Sequence, residues 1–371
     1  MDIYLWGAGE ILRRILSDIS KGITEYKNNE VFKIRGIIDT DVSKSGKLIS
    51  GLKIFSPDEI TKDMFDYIVV TNSYYDEIKN DACSRYDVGA DKIKTGFFLI
   101  KQALLYKYRN STDEEIIEVL NYLKHNDLSM YNNFIKDQSR REIVKWDKKL
   151  NLPYTDFCNC NGVPKKMFYP REFKFEIQEN NQVVDTLSYE QEEGSPHLYC
   201  TGMHSINKGD VIVDAGVCEG NFSLKYADIA SKLYLFEPDD MWEEANYYTF
   251  KGYKDKIVFY RKFLSDIDDE SNVSLDNVLF KKKVDFIKMD IEGSEEKALI
   301  GGMNTLKNNN IRASICTYHR KGDSDIVKKL LTEIGYNVAF SRGVVSFIWD
   351  KEIWKTLDFR KCIAYAERKL T

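Results

Sequence analysis

The stretch VIVDAGVCEGNFSL, residues 211–224, decides the fold, read together with KLYLFEP, residues 232–238. Val211, Ile212 and Val213 are β-branched and suit a pleated, buried surface, and their run ends at Asp214 in a turn punctuated by Gly216 and Gly220. Neither glycine carries a Cβ, so a strand that enters a helix through them lets backbone approach a ligand closely. The second apolar run closes on Glu237, about 20 residues on, where a nucleotide-binding α/β sheet places the carboxylate that accepts from ribose hydroxyls. Strand, glycine turn and helix in this order predict an α/β sheet with a nucleoside site at the C-terminal ends of its strands.

The ligand follows from the charge of the turn. Asp214 and Glu219 lie in it, and a pyrophosphate cradled by backbone N–H groups at a helix N-terminus would be repelled by them. A cationic nucleoside without phosphate suits that charge, and S-adenosyl-L-methionine, with its sulfonium, amine and ribose, has this chemistry. A third segment, VDFIKMDIEGSEEKALIGG from Val284, ends its strand at Asp290, with Glu292 two residues on. On an extended backbone these two carboxylates share a face. We read them as positioning acceptor hydroxyls, one acting as base, without a metal; a hard cation held by the pair is the alternative. Glu292 can instead cap the following helix, and Glu295, in its first turn, reads as a cap. His319 follows the strand ASICTY, and a histidine titrating near neutrality at a strand's C-terminal edge suits a general base, or else a hydrogen-bonded structural role.

Together these residues resemble the FkbM-type methyltransferases, S-adenosylmethionine-dependent class I enzymes that mostly O-methylate sugars or small hydroxylated metabolites. The resemblance covers roughly residues 190–350. It rests on Asp214, Gly216 and Gly220, on Phe236-Glu237-Pro238, on Asp290-x-Glu292-Gly293-x-Glu295 with Ala298-Leu299-x-Gly301, and on Thr317-Tyr318-His319. It implies a class I doubly wound sheet, with Asp214, Gly216, Gly220, Glu237, Asp266 and Asp290 binding the cofactor and His319, Asp290 and Glu292 catalytic. Asp266, in FLSDID, lies where such enzymes meet the adenine; a turn aspartate is the plainer reading. The family usually has Ala-Asn after the first glycine, and this chain has Val217-Cys218. The acceptor oxygen must line up behind the methyl carbon opposite the sulfur, and a base must reach its proton.

Length and composition set the frame. A chain of 371 residues exceeds the usual single domain. With 54 Lys+Arg against 59 Asp+Glu interspersed, no basic field exists to hold a nucleic-acid backbone. No signal peptide or run of about 18 apolar residues is present, so a cytoplasmic protein without a membrane partner is expected. The seven cysteines are then expected as reduced thiols. Cys158-x-Cys160 with His197 and Cys200 can be drawn as a zinc set, but C-x-C lacks the usual knuckle spacing. His197 and His204 are candidates for the acceptor pocket, and His125 for a helix surface.

A second α/β unit opens the chain. MDIYLWGAGE, VFKIRGIIDTD and FDYIVVTN read as strands, with helices between and after them. This half resembles the small Rossmann-like domains of sugar-modifying enzymes, such as the N-terminal domain of PglD-type sugar acetyltransferases. Its Gly7-x-Gly9-x-x-Leu12 lacks the third glycine of a dinucleotide fingerprint, so a scaffold competes with a nucleotide or nucleotide-sugar site at Gly7, Gly9 and Asp39. Residues 111–127 read as a connecting helix and about 130–149 as a second. The aromatic, Pro- and Gly-bearing stretch that follows is either a lid over the acceptor or a plain connector. The expected architecture is therefore two Rossmann-like domains, 1–105 and 196–371, joined by a helical and irregular connector at 106–195. Three functions remain: an O-methyltransferase acting on a glycan or glycan precursor, an N-methyltransferase acting on an amino group of a glycan-linked moiety, and a non-catalytic nucleotide-binding scaffold. A homo-oligomer is compatible with each.

Overall fold

β-branched and aromatic runs set the strands of both halves of the chain. The computed structural model describes residues 1–9, 12–13, 16, 32–137, 139, 141–185, 190–202, 204–350 and 352–368, and these divide into two compact units.

The first unit comprises Met1–Asn133 and Ser346–Phe359. Its strands are β1 (Asp2–Trp6), β2 (Lys33–Ile38), β3 (Leu48–Ile49), β4 (Leu52–Phe55), β5 (Tyr67–Val70) and β6 (Ile93–Thr95), in the order β3-β4-β2-β1-β5-β6. All neighbours are parallel except β3 and β4. The expected strands are β1, β2 and β5; the helix after β1 lies mostly outside the described residues. Helices α1 (Tyr75–Tyr86), α2 (Phe97–Lys107) and α3 (Glu114–Leu123) follow. Asp113 caps α3, its carboxylate accepting from the N–H groups of Glu115 and Ile116. Gly7 stands at φ +117°, and Asp39 accepts from the N–H groups of Ala8 and Asp41 and pairs with Lys44 at 3.0 Å. These contacts give Gly7 and Asp39 a role in closing their own turn.

The second unit comprises Phe134–Val345 and Arg360–Thr371. It opens with β7 (Arg141–Ile143), β8 (Lys145–Asp147), β9 (Leu152–Cys158), β10 (Pro164–Phe168), β11 (Glu176–Gln178) and β12 (Asn181–Asp185). They form two antiparallel three-stranded sheets, β10-β9-β8 and β11-β12-β7. The helix expected over 130–149 is therefore corrected to turns and two short strands. Ile143 and Glu142 lie opposite Val183 and Val184 of β12, and this non-local pairing overrides the local helical spacing. The stretch expected as a connector, 106–195, is divided between the two units.

The main sheet follows: β13 (Val211–Ala215), α4 (Asn221–Tyr226), β14 (Lys232–Phe236), α5 (Glu243–Thr249) and β15 (Ile257–Tyr260). A separate parallel pair, β16 (Phe263–Leu264) and β17 (Asn272–Val273), leads to α6 (Leu275–Leu279). Then come β18 (Phe286–Met289), α7 (Glu295–Ile300), α8 (Met303–Asn308), β19 (Arg312–Cys316), α9 (Asp323–Glu333), β20 (Tyr336–Phe340) and β21 (Ile363–Arg368). The order is β15-β14-β13-β18-β19-β21-β20, parallel except that β21 runs antiparallel to both its neighbours. Central strands flanked by helices must be apolar on both faces. Val213, Ala215, Ile287, Met289, Ala313 and Ile315 accordingly join the core with Leu299, Val327 and Leu331 of the helices. This arrangement brings the ends of β13, β14, β18 and β19 to one edge. No helix of the described residues is long and apolar enough to cross a membrane.

Candidate active site

The turn after β13 is shaped by what its glycines lack. Gly216 stands at φ +79°, and a Cβ there would meet the Asp290 carbonyl oxygen at 1.8 Å, so only glycine lets this turn lie against the end of β18. Gly220, at φ +85°, packs against the Phe250 ring in the same way. Between them Cys218 holds φ +48°, a left-handed backbone that a non-glycine residue adopts at a cost. Its N–H donates to Glu237 Oε2 at 2.8 Å, and its carbonyl accepts from the Asn246 side chain at 2.9 Å. The turn is therefore fixed through the backbone of Cys218, whatever side chain stands there.

Asp214 and Lys288 are direct partners in the register of β13 and β18, and their side chains meet at 3.2 Å in the core. Ser223 donates to the other Asp214 oxygen at 2.7 Å, tying α4 to the pair. Burial opposes a charge on Lys288, but the carboxylates of Asp214 and Asp290 outweigh it and raise the ammonium pKa. Lys288 also donates to the carbonyls of Ala215 and Gly216. Glu237 is buried and accepts from Cys218 N–H and from Asp239 N–H at 3.0 Å, which orients its carboxylate at the turn.

Asp290 lies at the centre of a polar cluster. Tyr199 Oη donates to Asp290 Oδ2 at 2.6 Å, His319 Nε2 lies 3.1 Å from Oδ1, His197 Nε2 lies 3.4 Å from Oδ2, and Tyr318 Oη donates to Oδ1 at 3.4 Å. Burial alone would push the Asp290 carboxyl up; the bonds from His197 and His319 and the charge of His319 hold it well below the usual carboxylate range. The other nitrogen of His319, Nδ1, faces Glu295 Oε1 at 3.0 Å. Burial works against the imidazolium, yet the adjacent carboxylates of Asp290 and Glu295 prevail and raise its pKa to about 10. The expectation that His319 titrates near neutrality is therefore corrected. At neutral pH its ring is protonated, both nitrogens face carboxylates, and it has no lone pair to offer an acceptor.

Glu292 stands apart from this cluster. Its side chain is 84% exposed, its carboxylate lies 3.8 Å from His319 Nε2, and its backbone holds φ +56°. A left-handed glutamate is strained, and such strain collects at functional sites. Glu295, expected as a cap, does reach back to Ile291 N–H at 3.0 Å, but its main charge partner is His319.

The structure thus brings together Asp214, Gly216, Glu237, Asp290, Glu292 and His319, with Gly220 closing the turn. Asp266 is not joined to them by a described contact; it is exposed and accepts from Ser265 Oγ. His204 is a structural residue, donating to the Ala313 carbonyl at 2.9 Å and neutral because burial lowers its pKa to about 4. The set Cys158, Cys160, His197 and Cys200 forms no metal-sized cluster among the described residues. Two groups do converge within 4.8 Å, His197 with Asp290 and Cys316, and Asp290 with Glu295 and His319. In the second, each ring nitrogen of His319 already has a carboxylate, so it reads as an ion-pair cluster. Sequence reasoning missed Lys288, Glu295 as an ion partner, Tyr199 and the placement of His197. Lys288 alone left a signal, a lysine inside an otherwise apolar strand.

A cavity of about 590 Å³ opens beside this site. Cys218, Glu219 and Asn221 of the turn form one wall, and Tyr169, Phe173 and Trp242 another.

Residues 156–338 match the family model described as the methyltransferase FkbM domain, and residues 1–94 match the C2185-like N-terminal family. No curated protein matches the chain significantly. Among solved structures, the methyltransferase FkbM from Methylobacillus flagellatus KT is 15% identical, with 98% of this chain and 89% of that one covered and a TM-score of 0.40. The magnesium protoporphyrin IX methyltransferase from Synechocystis PCC 6803 with bound SAM is 18% identical, covering 43% and 71% with a TM-score of 0.28. An rRNA methylase from Streptococcus thermophilus is 12% identical, covering 44% and 90% with a TM-score of 0.30. Residues 156–338 are accordingly a methyltransferase domain of FkbM type, and its cofactor is S-adenosylmethionine.

Proposed function

We propose that this chain transfers a methyl group to a hydroxyl of a glycan or glycan precursor, with a class I doubly wound sheet as its cofactor domain and a Rossmann-like N-terminal domain. The observation that carries the reading is the meeting of Gly216 and Asp290, at ends of adjacent parallel strands, beside the Glu237 carboxylate. That edge is where open α/β sheets take nucleosides. Asp214 and Lys288 hold the turn, Glu237 would hold the ribose hydroxyls, and Asp290 would supply negative charge for the sulfonium.

S-adenosylmethionine supplies an electrophilic methyl group when bound. Residues of this chain would orient the acceptor hydroxyl and take its proton. We assign the proton to Glu292, because its carboxylate is exposed at the end of β18, 3.8 Å from the His319 ring. His319, protonated between Asp290 and Glu295, is a positioning residue that keeps Asp290 ionised and in place. A small or glycan acceptor, with no nucleic-acid or membrane partner, fits the interspersed charges of the chain, and a cytoplasmic setting suits such a precursor.

Calorimetric titration of S-adenosylmethionine and S-adenosylhomocysteine into wild type and Glu237→Ala tests the cofactor assignment, with NAD in parallel. Micromolar binding lost in the variant is expected; NAD binding in place of both would sink the reading. Product analysis with hydroxylated and amino acceptors then separates O- from N-transfer.

A further inference from the structure

We propose that the 590 Å³ cavity beside the cofactor turn is an acceptor subsite, and that Glu219 holds in it a protonated amine on a sugar-sized molecule, apart from the hydroxyl whose proton Glu292 takes. The inference rests on the methyltransferase reading for the word acceptor, and adds a substrate class and a residue to it.

The position of the cavity is the first argument. It is lined by Cys218, Glu219 and Asn221 of the turn, and by none of the residues at the cofactor edge, Glu292 and His319 included. It therefore shares a wall with the cofactor turn and leaves the cofactor edge free. Thr155, Phe157 and Met167, from β9 and β10, cover it. A cavity of this size falls within the range of small-molecule sites.

The chemistry of the walls is the second. Three acids, Glu142, Asp156 and Glu219, line the cavity against one base, Lys225. Asp156 is paired with Lys145. Glu219 is 7% exposed, and its Oε1 is buried with no hydrogen-bond partner among the described residues. A buried carboxylate oxygen left unpartnered costs free energy unless a ligand satisfies it. Tyr169, Phe173 and Trp242 also line the cavity, their ring centroids 5.5 to 6.4 Å apart. Aromatic faces beside a single buried acid suit an organic cation. The same lining opposes a phosphate, so a nucleotide-sugar is not the acceptor this pocket takes.

The ionisation of Glu219 gives the site a pH signature. Burial raises its pKa to about 7; Lys288 opposes this, while Glu190 and Asp214 add to it, and Tyr169 and Cys218 are its other titratable neighbours. A cation binds the ionised form, so affinity rises with pH through about 7 while the amine itself stays charged.

The probe is 6-amino-6-deoxy-D-glucose, compared with D-glucose and D-glucose 6-phosphate by saturation-transfer NMR on the full chain with S-adenosylhomocysteine present. Saturable binding of the amine alone is expected, tightening at least threefold from pH 6 to 8. Glu219→Gln should weaken it at least tenfold and flatten the profile, with Glu219→Asp recovering part of the loss. Glu142→Gln, at the half-buried wall, should weaken it two- to fivefold. Equal binding of amine and glucose, binding of the phosphate, or binding of none overturns the proposal, as does a flat wild-type profile, which needs no variant to fold. Loss of S-adenosylhomocysteine binding by the wild type would instead overturn the cofactor assignment, leaving the amine result to stand or fall alone.

Discussion

His319 illustrates how a residue's environment replaces its reference chemistry. A histidine after a strand suggests a base near neutrality, but Asp290 at 3.1 Å and Glu295 at 3.0 Å make it a cation. Its folded pKa of about 10 lies above the unfolded value of about 6.5, so the stability it contributes is full below about 6.5 and fades as pH rises through 10. In His319→Gln the two buried carboxylates lose their charge partner, a loss of about 3–5 kcal/mol at pH 6. Denaturant melts of both proteins should show that gap closing between pH 7 and 10.5. A gap of equal size at both ends would mean the ring is neutral in the folded protein, and would restore it as a candidate base. The residues legible in sequence were those set by local geometry: Gly216 and Gly220 by positive φ, and Asp214 and Glu237 by their places at strand ends. Tyr199, His197 and Glu295 were not legible as partners of one site, because Tyr199 and His197 reach Asp290 from about ninety residues away in sequence, and a capping position does not reveal a charge partner.

At the scale of elements, β13 and β18 are held in register by more than backbone. Asp214 and Lys288 stand opposite each other across the two strands, both nearly inaccessible, and Ser223 of α4 joins them. Removing one partner of such a pair leaves an uncompensated buried charge, whereas removing both often costs little. Lys288→Met should therefore lower stability by about 3–5 kcal/mol, and Asp214→Asn with Lys288→Met should recover at least half of it. Chemical denaturation of the three proteins checks the non-additivity; additive losses would show that the pair contributes through packing alone. The strands themselves were readable because their apolar runs are continuous, as burial on both faces demands. The region 130–149 was misread because β7 exists only through its pairing with β12, about forty residues on, and no local pattern announces that partner.

At the scale of the molecule, the chain enters the first unit twice. Ser346–Phe359 belongs with Met1–Asn133, although the residues on either side of it belong to the second unit. The segment is fastened by specific contacts. Ser346 N–H donates to Met130 O at 2.8 Å, Asn132 Nδ2 donates to Ser346 Oγ at 3.2 Å, and Lys107 Nζ donates to the carbonyls of Thr356 and Leu357 at 2.8 Å. Phe359 packs on Tyr108 with ring centroids 5.0 Å apart. A linear division at 105 and 196 was the natural reading of the sequence, since a return crossing leaves no compositional mark over fourteen residues. Its consequence is that damage to residue 359 should be felt more than two hundred residues upstream. Phe359→Ala removes a half-buried ring and should cost about 2 kcal/mol, somewhat less than full burial would. Hydrogen exchange followed by mass spectrometry should then quicken in α2 and in residues 128–133, while β13 and β18 keep wild-type protection and S-adenosylhomocysteine affinity stays within twofold. Faster exchange in β13 and β18 with α2 unchanged would assign the segment to the second unit instead of the first.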